Sequence, residues 1–239
     1  MSVPYKKYPR LYVESPLNEG GFVSLSKEQS HYLVNVMRKA VGDGVRLFNG
    51  KDGEYVCEIT EASKKSVGLA IQTCIVTRPV VLREVHLYFA PIKKQRMEWM
   101  IEKSVELGVT HLHPVLTQNP EVRKLNDERV RHQIIEACEQ CERLDVPELC
   151  EVMDLKKSVA TLPQGLSLFA AIERQGDVPL ISDVVSGDKD MAVLIGPEGG
   201  FTQEEVDWLK HQGNVSAVSL GVRILRAETA ALYVLSIAE

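Results

Sequence analysis

The stretch MAVLIGPEGGFTQEE, residues 191–205, decides the fold of this chain. Met191–Ile195 is a short apolar run of the kind that forms a buried parallel strand. The turn Gly196-Pro197-Glu198-Gly199-Gly200 follows at once, and Thr202 with Glu205 predicts a capping box at the start of a helix. The glycines therefore lie between the end of a strand and the start of a helix, where open α/β sheets bind ligands.

A second stretch repeats this arrangement nearer the C-terminus. Val215–Leu220 is predicted to be a strand, which ends at Gly221. Val222–Arg226 forms a short loop, and the composition of Ala227–Ala238 is strongly helical. Two consecutive strand–loop–helix units are expected to place both loops on one edge of the sheet.

Neither loop has the features of a polyphosphate site. The chain has no Gly-Lys-Ser/Thr ending there, and the first turn does not follow the dinucleotide pattern of spaced glycines. Pro197 has no amide proton to donate, and Glu198 adds negative charge where a phosphate needs positive charge. A ligand with an adenine, a ribose and a cation fits better, and S-adenosylmethionine (SAM) is such a molecule.

The two loops together resemble a known family. LIGPEGGFTQEE (194–205) and LGVRILRAETAAL (220–232) are similar to the paired cofactor loops of the RsmE family, which are SPOUT-class methyltransferases that act on small-subunit ribosomal RNA. We therefore expect SAM to be held mostly by backbone and by apolar side chains of these two turns. The expected contacts are Leu194, Ile195, Gly196, Pro197, Glu198, Gly199, Gly200, Leu220, Gly221, Ile224 and Leu225.

The pattern of elements predicts two domains. Residues 1–75 form a small β-rich unit with one helix, which the capping box of Ser26 and Gln29 opens. From residue 84 onward strands alternate with helices, which predicts an α/β fold with a mostly parallel sheet. The family resemblance implies a PUA-like RNA-binding β-barrel for 1–75. For 76–239 it implies a SPOUT domain with a trefoil knot, which composition alone would not suggest.

Composition narrows the class of protein. No apolar run reaches the roughly 18 residues of a membrane span, and the N-terminus has no signal-peptide core. Five irregularly spaced cysteines favour reduced thiols in a cytoplasmic protein. The net charge of −5 argues against a protein that is basic on every face, although residues 1–80 are mildly basic and the remainder is acidic.

The resemblance implies that the methyl acceptor is N3 of a uridine in 16S rRNA. This nitrogen carries a proton at neutral pH, so the enzyme must hold the reactants in line and favour the uracil anion. Arg226 is the first candidate to stabilise that anion, because its charge is permanent and its donors form a fixed fork. Glu228 is a weaker candidate for the base, and it equally suits the first turn of a helix as a favourable carboxylate.

Several cations are candidate RNA contacts. Near the N-terminus, basic residues alternate with tyrosines, a pattern that suits phosphate contacts together with base stacking. Others close the first helix or precede a helix after a strand, where they could meet the substrate. The candidate set is Lys6, Lys7, Arg10, Arg38, Lys93 and Arg96. The resemblance further implies a homodimer, with 16S rRNA in an assembled small subunit as the substrate.

The sequence leaves two other functions open. A related enzyme of the same fold could methylate ribose 2′-OH or transfer RNA, and a silent RNA-binding assembly factor is a third class.

Cys138 and Cys141 lack a second ligand pair, and His111 and His113 share one face of a predicted strand, so we expect no metal. Glu142 stands where the family segment often has glycine, which puts the geometry of that turn in question.

Overall fold

The computed structural model describes residues 4–63, 65–77, 83–172, 178–185 and 189–238. The chain forms two compact units, Met1–Val81 with Cys138–Val146, and Leu82–Ala137 with Pro147–Glu239. We retain the predicted domain division at residue 75 as a proposal. The sequence also predicts a linker at Arg78-Pro79 and a third loop at Ile172–Val178. The linker and positions 173–177 of that loop lie outside the described residues.

The first unit is a mixed five-stranded sheet with one short helix. Its strands pair in the order β1-β3-β4-β5-β2, with β1 parallel to β3 and the other pairs antiparallel. The capping box predicted at Ser26 is present, and α1 continues directly into a π-helical segment. Its elements are a 3-10 turn (Pro4–Lys7), β1 (Arg10–Tyr12), β2 (Phe22–Ser24), α1 (Lys27–His31), the π-helical segment (Tyr32–Val36), β3 (Gly44–Phe48), β4 (Glu54–Ala62) and β5 (Val67–Val76).

The second unit is a parallel α/β sheet flanked by helices. Its strand order is β12-β10-β11-β6-β7-β8, with β9 also pairing with β7, and every one of these pairs is parallel. Its elements are β6 (Val85–Phe89), α2 (Lys94–Glu106), β7 (His111–Leu116), α3 (Asp127–Cys141, assigned from Cys138 to the first unit), β8 (Glu148–Leu149), β9 (Met153–Asp154), α4 (Leu155–Ala160), β10 (Leu168–Ala171), α5 (Ile181–Val184), β11 (Met191–Ile195), α6 (Gln203–Lys210), β12 (Val215–Val218) and α7 (Ala227–Ala238).

The sheet topology positions the two glycine turns. Strands β10, β11 and β12 are neighbours and run in the same direction, so their carboxyl ends meet at one edge. Ile195 ends β11 just before the first turn, and Val218 ends β12 shortly before the second. The prediction that both loops share an edge of a parallel sheet is therefore confirmed. The knot implied by the resemblance stays a prediction.

Among the described residues, no helix combines the length and the apolarity that a bilayer span requires. All five cysteines are free.

Candidate active site

A cavity of about 1020 Å³ lies where the two turns meet. The predicted cofactor residues that line it are Ile195, Gly196, Pro197, Glu198, Gly199, Gly200, Leu220, Gly221, Ile224 and Leu225. Leu194 is different, because it is fully buried and packs in the core cluster of the unit. Its side chain packs in the core and does not line the cavity, which leaves a backbone contact of Leu194 with SAM as the prediction.

The glycines of the turns serve three different purposes. Gly200 and Gly221 have φ values of 75° and 108°, a left-handed conformation that side chains rarely adopt. Gly196 has no room for a side chain, since a Cβ there would lie 2.8 Å from the ring of Phe201. At Gly199 a Cβ would meet nothing within 4 Å, so this glycine leaves its space open towards the cavity.

The start of α6 fixes the far end of the first turn. The capping box predicted from Thr202 and Glu205 is present, with Glu205 accepting from the Thr202 amide at 2.9 Å. The second carboxylate oxygen of Glu205 accepts from the amide of Gln118 at 2.7 Å, although the residue is only 3% exposed. This buried carboxylate ties the turn to the residue that follows β7 closely in the chain.

Arg96, on α2, was predicted to contact RNA, but its guanidinium lies in the cavity wall. It donates a hydrogen bond to the carboxylate of Glu198 in the first turn. Its Nε also lies 3.8 Å from Oε1 of Glu228, at the start of α7. Because two carboxylates already occupy this guanidinium, the structure gives it a role at the cofactor turns and does not support the predicted phosphate contact.

The two predicted catalytic residues occupy different environments. Arg226 is exposed and lines the cavity, and among the described residues its guanidinium has no ion-pair partner. Glu228 is only 7% exposed and is not part of the cavity lining. One of its carboxylate oxygens faces Arg96, and the other has no hydrogen-bond partner within the part of the chain that the structure describes. Glu228 therefore pairs with Arg96.

The cavity suits the chemistry of SAM. Its walls include the apolar side chains of Ile172, Leu220, Ile224 and Leu225, which fit the faces of an adenine. Open backbone at Gly199 allows close approach of a ribose or a methionine moiety. Sequence reasoning missed Phe201 and Arg223 as lining residues, since they follow the glycines without a pattern of their own. It also missed Ile172, which lines the cavity directly after β10.

The remaining RNA candidates, Arg10 excepted, are surface residues. Lys6 and Lys7 are exposed in the N-terminal turn. Arg38 is exposed with a φ of 55°, just beyond the π-helical segment. Lys93 is mostly exposed and pairs with Glu121 at 3.0 Å. All four have ammonium or guanidinium groups placed at the surface, so their contacts with RNA stay predictions.

Arg10 is not available to RNA. Its side chain is 2% exposed, and its Nε donates to Glu54 at 3.0 Å. Its other nitrogens donate to the carbonyl oxygens of Cys138 and Arg143, and its guanidinium lies over the ring of Phe48. Its charge is therefore used inside the first unit, and the predicted phosphate contact is corrected to a structural role.

Comparison with known proteins agrees with this architecture. Residues 80–239 match the family model of an RNA methyltransferase domain, and residues 25–72 match that of an RNA methyltransferase PUA domain. The ribosomal RNA small subunit methyltransferase E of Rickettsia conorii is 34% identical over 95% of this chain and 93% of its own length. That of Bacillus subtilis is 31% identical over 92% of this chain and 90% of its own length.

Solved structures agree as well. Ribosomal RNA small subunit methyltransferase E from Neisseria gonorrhoeae, bound to S-adenosyl methionine, superposes with a TM-score of 0.83 at 29% identity, covering 95% of each chain. A Legionella pneumophila protein described as a methyltransferase, in complex with SAM, gives a TM-score of 0.86 at 32% identity over 97% of each chain. Fold and cavity thus define an RNA methyltransferase with an N-terminal PUA domain. The chain belongs to the ribosomal RNA small subunit methyltransferase E family.

Proposed function

We propose that this protein transfers a methyl group from SAM to N3 of a uridine in 16S rRNA of the small ribosomal subunit. The observation that carries the proposal is the cavity between two glycine turns at one edge of the parallel sheet. Family membership and the SAM-bound relatives support the cofactor. The choice of N3 comes from the family resemblance, and it is the part of the proposal that needs a direct chemical test.

We assign SAM binding to the two glycine turns. When bound, SAM supplies a methyl group on a sulfonium, whose departure leaves a neutral thioether. Leu220, Ile224 and Leu225 hold the adenine between apolar surfaces and exclude water from it. Gly199 and Gly200 let the backbone approach without side chains in the way.

We assign to Arg226 the stabilisation of the uracil anion that accepts the methyl group. Removing the proton from N3 leaves negative charge shared with the two flanking carbonyl oxygens of the uracil. The guanidinium of Arg226, which has no ion-pair partner in the described part of the chain, can donate to one of those oxygens and favours the anion that attacks the methyl group. In the transfer the N3–CH₃ bond forms and the S–CH₃ bond breaks.

Glu228 is assigned a positioning role. Its carboxylate is buried beside Arg96 and outside the cavity lining, so we do not give it the N3 proton. Holding Arg96 in place is the function that its contacts support. The proton passes to solvent in this scheme.

The test is methyl transfer from radiolabelled SAM onto two substrates, assembled small subunits and naked 16S rRNA. The modified nucleoside is then identified by mass spectrometry of digested RNA. We expect 3-methyluridine at one position, with assembled subunits as the better substrate. A 2′-O-methyl nucleoside or a labelled transfer RNA would instead assign the protein to a related activity. SAM binding with no transfer to any RNA would favour the assembly-factor alternative.

The proposal also includes a homodimer in the cytoplasm, as the resemblance implies. In such a dimer the active site is completed at the interface between the subunits. Sedimentation equilibrium tests for the dimer. If the active site contains residues of both subunits, two variants that are each inactive should regain activity when they are mixed.

A further inference from the structure

The parallel sheet carries a second cluster of chemically active side chains at the edge opposite the cavity. Glu84 precedes β6, His86 lies within it, His111 begins β7, and Glu148 begins β8. Strand register places His86 beside His111, and His111 beside Glu148. The three therefore form one row across neighbouring strands, and Glu84 lies on the same face, two residues before His86.

The functional atoms of this row lie close together, and the rings of His86 and His111 stack with their centroids 4.1 Å apart. Oε2 of Glu84 lies 3.1 Å from Nε2 of His86, and Oε2 of Glu148 lies 3.9 Å from Nε2 of His111. One ligand atom from each of Glu84, His86 and His111 falls within 4.8 Å of the others. Two ligand atoms of a tetrahedral zinc ion are about 3.4 Å apart. This separation lies between the Glu84–His86 distance of 3.1 Å and the Glu148–His111 distance of 3.9 Å.

The Nδ1 atom of His111 has a hydrogen-bond partner. Its Nδ1 lies 2.9 Å from the hydroxyl oxygen of Thr110. That hydroxyl has one proton, which it donates to the carbonyl oxygen of Val85 at 3.0 Å, and it also accepts from the amide of Val85. It can also accept from His111, and in that tautomer Nδ1 carries the proton of the neutral ring and Nε2 is free to bind a metal.

In that tautomer the Nε2 lone pair of His111 faces the carboxylate of Glu148 at 3.9 Å, and a cation between them would bind both groups. His86 is held in a similar way, since its Nδ1 lies 3.0 Å from Nε2 of His113 while its Nε2 points to Glu84. Partners that hold the second ring nitrogen of each histidine are the usual support of metal ligands.

We propose that Glu84, His86 and His111 bind one divalent transition-metal ion of the zinc type, with Glu148 or a water as the fourth ligand. Imidazole nitrogens with carboxylates select zinc and its neighbours over magnesium or calcium, which prefer oxygen ligands alone. The side chain of His86 is 3% exposed, whereas those of Glu84 and Glu148 are 52% and 67% exposed. The ion can therefore enter from solvent, and the two carboxylates are free to adjust to it.

The role of this ion is structural. The site lies at the amino-terminal ends of β6, β7 and β8, whereas the cavity lies at the carboxyl ends of β10, β11 and β12. An ion held by residues from β6 and β7 adds a link between two strands that are already joined by backbone hydrogen bonds and by ring stacking. It is therefore expected to raise thermal stability and to leave methyl transfer unchanged.

The first experiment is calorimetric titration of chelator-treated full-length protein with Zn²⁺ alone. We expect one saturable site, whose affinity falls at least about tenfold in His111→Ala and in Glu84→Gln. The matched control is His132→Ala, since His132 is an exposed histidine on α3 that pairs with Glu136 at 3.5 Å and is not one of the proposed ligands. Both test positions are at least partly exposed, and an unchanged melting temperature of the metal-free variants shows that they fold.

The second experiment separates this site from the five free cysteines. The absorption spectrum of the Co²⁺-loaded protein is expected to show tetrahedral ligand-field bands without a thiolate-to-cobalt charge-transfer band. Zn²⁺ should raise the melting temperature of the wild type and not that of His111→Ala. The proposal is overturned by an absence of saturable binding, by binding that both variants retain, or by a strong thiolate band.

Discussion

The guanidinium of Arg96 donates a hydrogen bond to the carboxylate of Glu198. The same group lies 3.8 Å, from Nε to Oε1, from the carboxylate of Glu228. Arg96 belongs to α2, Glu198 to the first glycine turn, and Glu228 to the helix that follows the second turn. One side chain from outside the two turns therefore links both of them by charge.

Replacement of Arg96 by alanine should weaken cofactor binding. Without the guanidinium, the carboxylates of Glu198 and Glu228 repel each other and the first turn loses its anchor. We expect the Kd for S-adenosylhomocysteine to rise about fivefold, which corresponds to roughly 1 kcal/mol, and Arg96→Lys to restore part of it. Calorimetry measures the Kd directly.

A companion measurement distinguishes this role from the RNA contact predicted from sequence. Loss of a phosphate contact would reduce the salt dependence of RNA affinity, whereas loss of an anchor for the turn would not. If Arg96→Ala flattens the salt dependence and leaves S-adenosylhomocysteine affinity intact, the structural interpretation is wrong.

Gly199→Val should abolish SAM binding while the protein stays folded. A Cβ at Gly199 meets no protein atom within 4 Å, so the new side chain fills ligand space without a clash inside the fold. Gly213→Val is the matched control, because Gly213 also has open space around it and does not line the cavity. Equal melting temperatures for both variants, with binding lost only in the first, is the expected result. Unchanged affinity in Gly199→Val would place the cofactor elsewhere.

Arg226→Ala should reduce methyl transfer strongly and leave cofactor binding unchanged. Loss of one preorganised donor to a developing anion lowers kcat by about 10²–10³-fold. Arg223→Ala is a useful control, since Arg223 is another exposed arginine of the same loop that lines the cavity. Single-turnover rates together with S-adenosylhomocysteine affinity separate the two effects. Near-normal turnover by Arg226→Ala would remove this residue from the mechanism.

Glu54→Ala should destabilise the first unit severely. The Glu54 side chain is 4% exposed and accepts from Arg10 and from Arg46, each at 3.0 Å. Its removal leaves two largely buried guanidinium groups without their shared carboxylate, at a cost of about 3–5 kcal/mol. Urea denaturation measures the loss. Glu58→Ala, on the same strand but half-exposed and bonded to Gln72, should change stability far less.

Glu142 should contribute stability that depends on pH. The hydrogen bond from Arg46, at 2.7 Å, lowers the pKa of the Glu142 carboxyl below its ordinary value. A lowered folded-state pKa stabilises the protein above the unfolded value, and this contribution is lost as pH falls through the folded one. Wild type should therefore exceed Glu142→Gln in stability at neutral pH, and the difference should close below about pH 4. A difference that persists in acid would contradict the ion-pair explanation.

The parts of the fold that local chemistry determines could be predicted from sequence. Both capping boxes, at Ser26 and Thr202, are present, and Gly108 ends α2 with a φ of 82°. The buried strand Met191–Ile195 has the predicted bounds. By contrast, β8 and β9 contain two residues each, which is too short for any periodicity to show.

Contacts between distant residues could not be predicted. The alternation of Arg10 with tyrosines suggested an RNA-binding arm, but its partner Glu54 is 44 positions away and is brought close only by strand pairing. Similarly, His86 and His111 become neighbours through the register of β6 and β7. At Glu142 the sequence did indicate the backbone conformation. The family often has glycine at this position, and Glu142 adopts a φ of 61°.

The assignment of Cys138–Val146 to the first unit has a consequence for synthesis of the chain. Arg10 and Arg46 find carbonyl and carboxylate partners in that segment, at Cys138, Glu142 and Arg143. During translation, the amino-terminal unit therefore lacks part of its hydrogen bonding until residues near 146 leave the ribosome. Its completion must wait for two strands of the following unit, β6 and β7, to be made first.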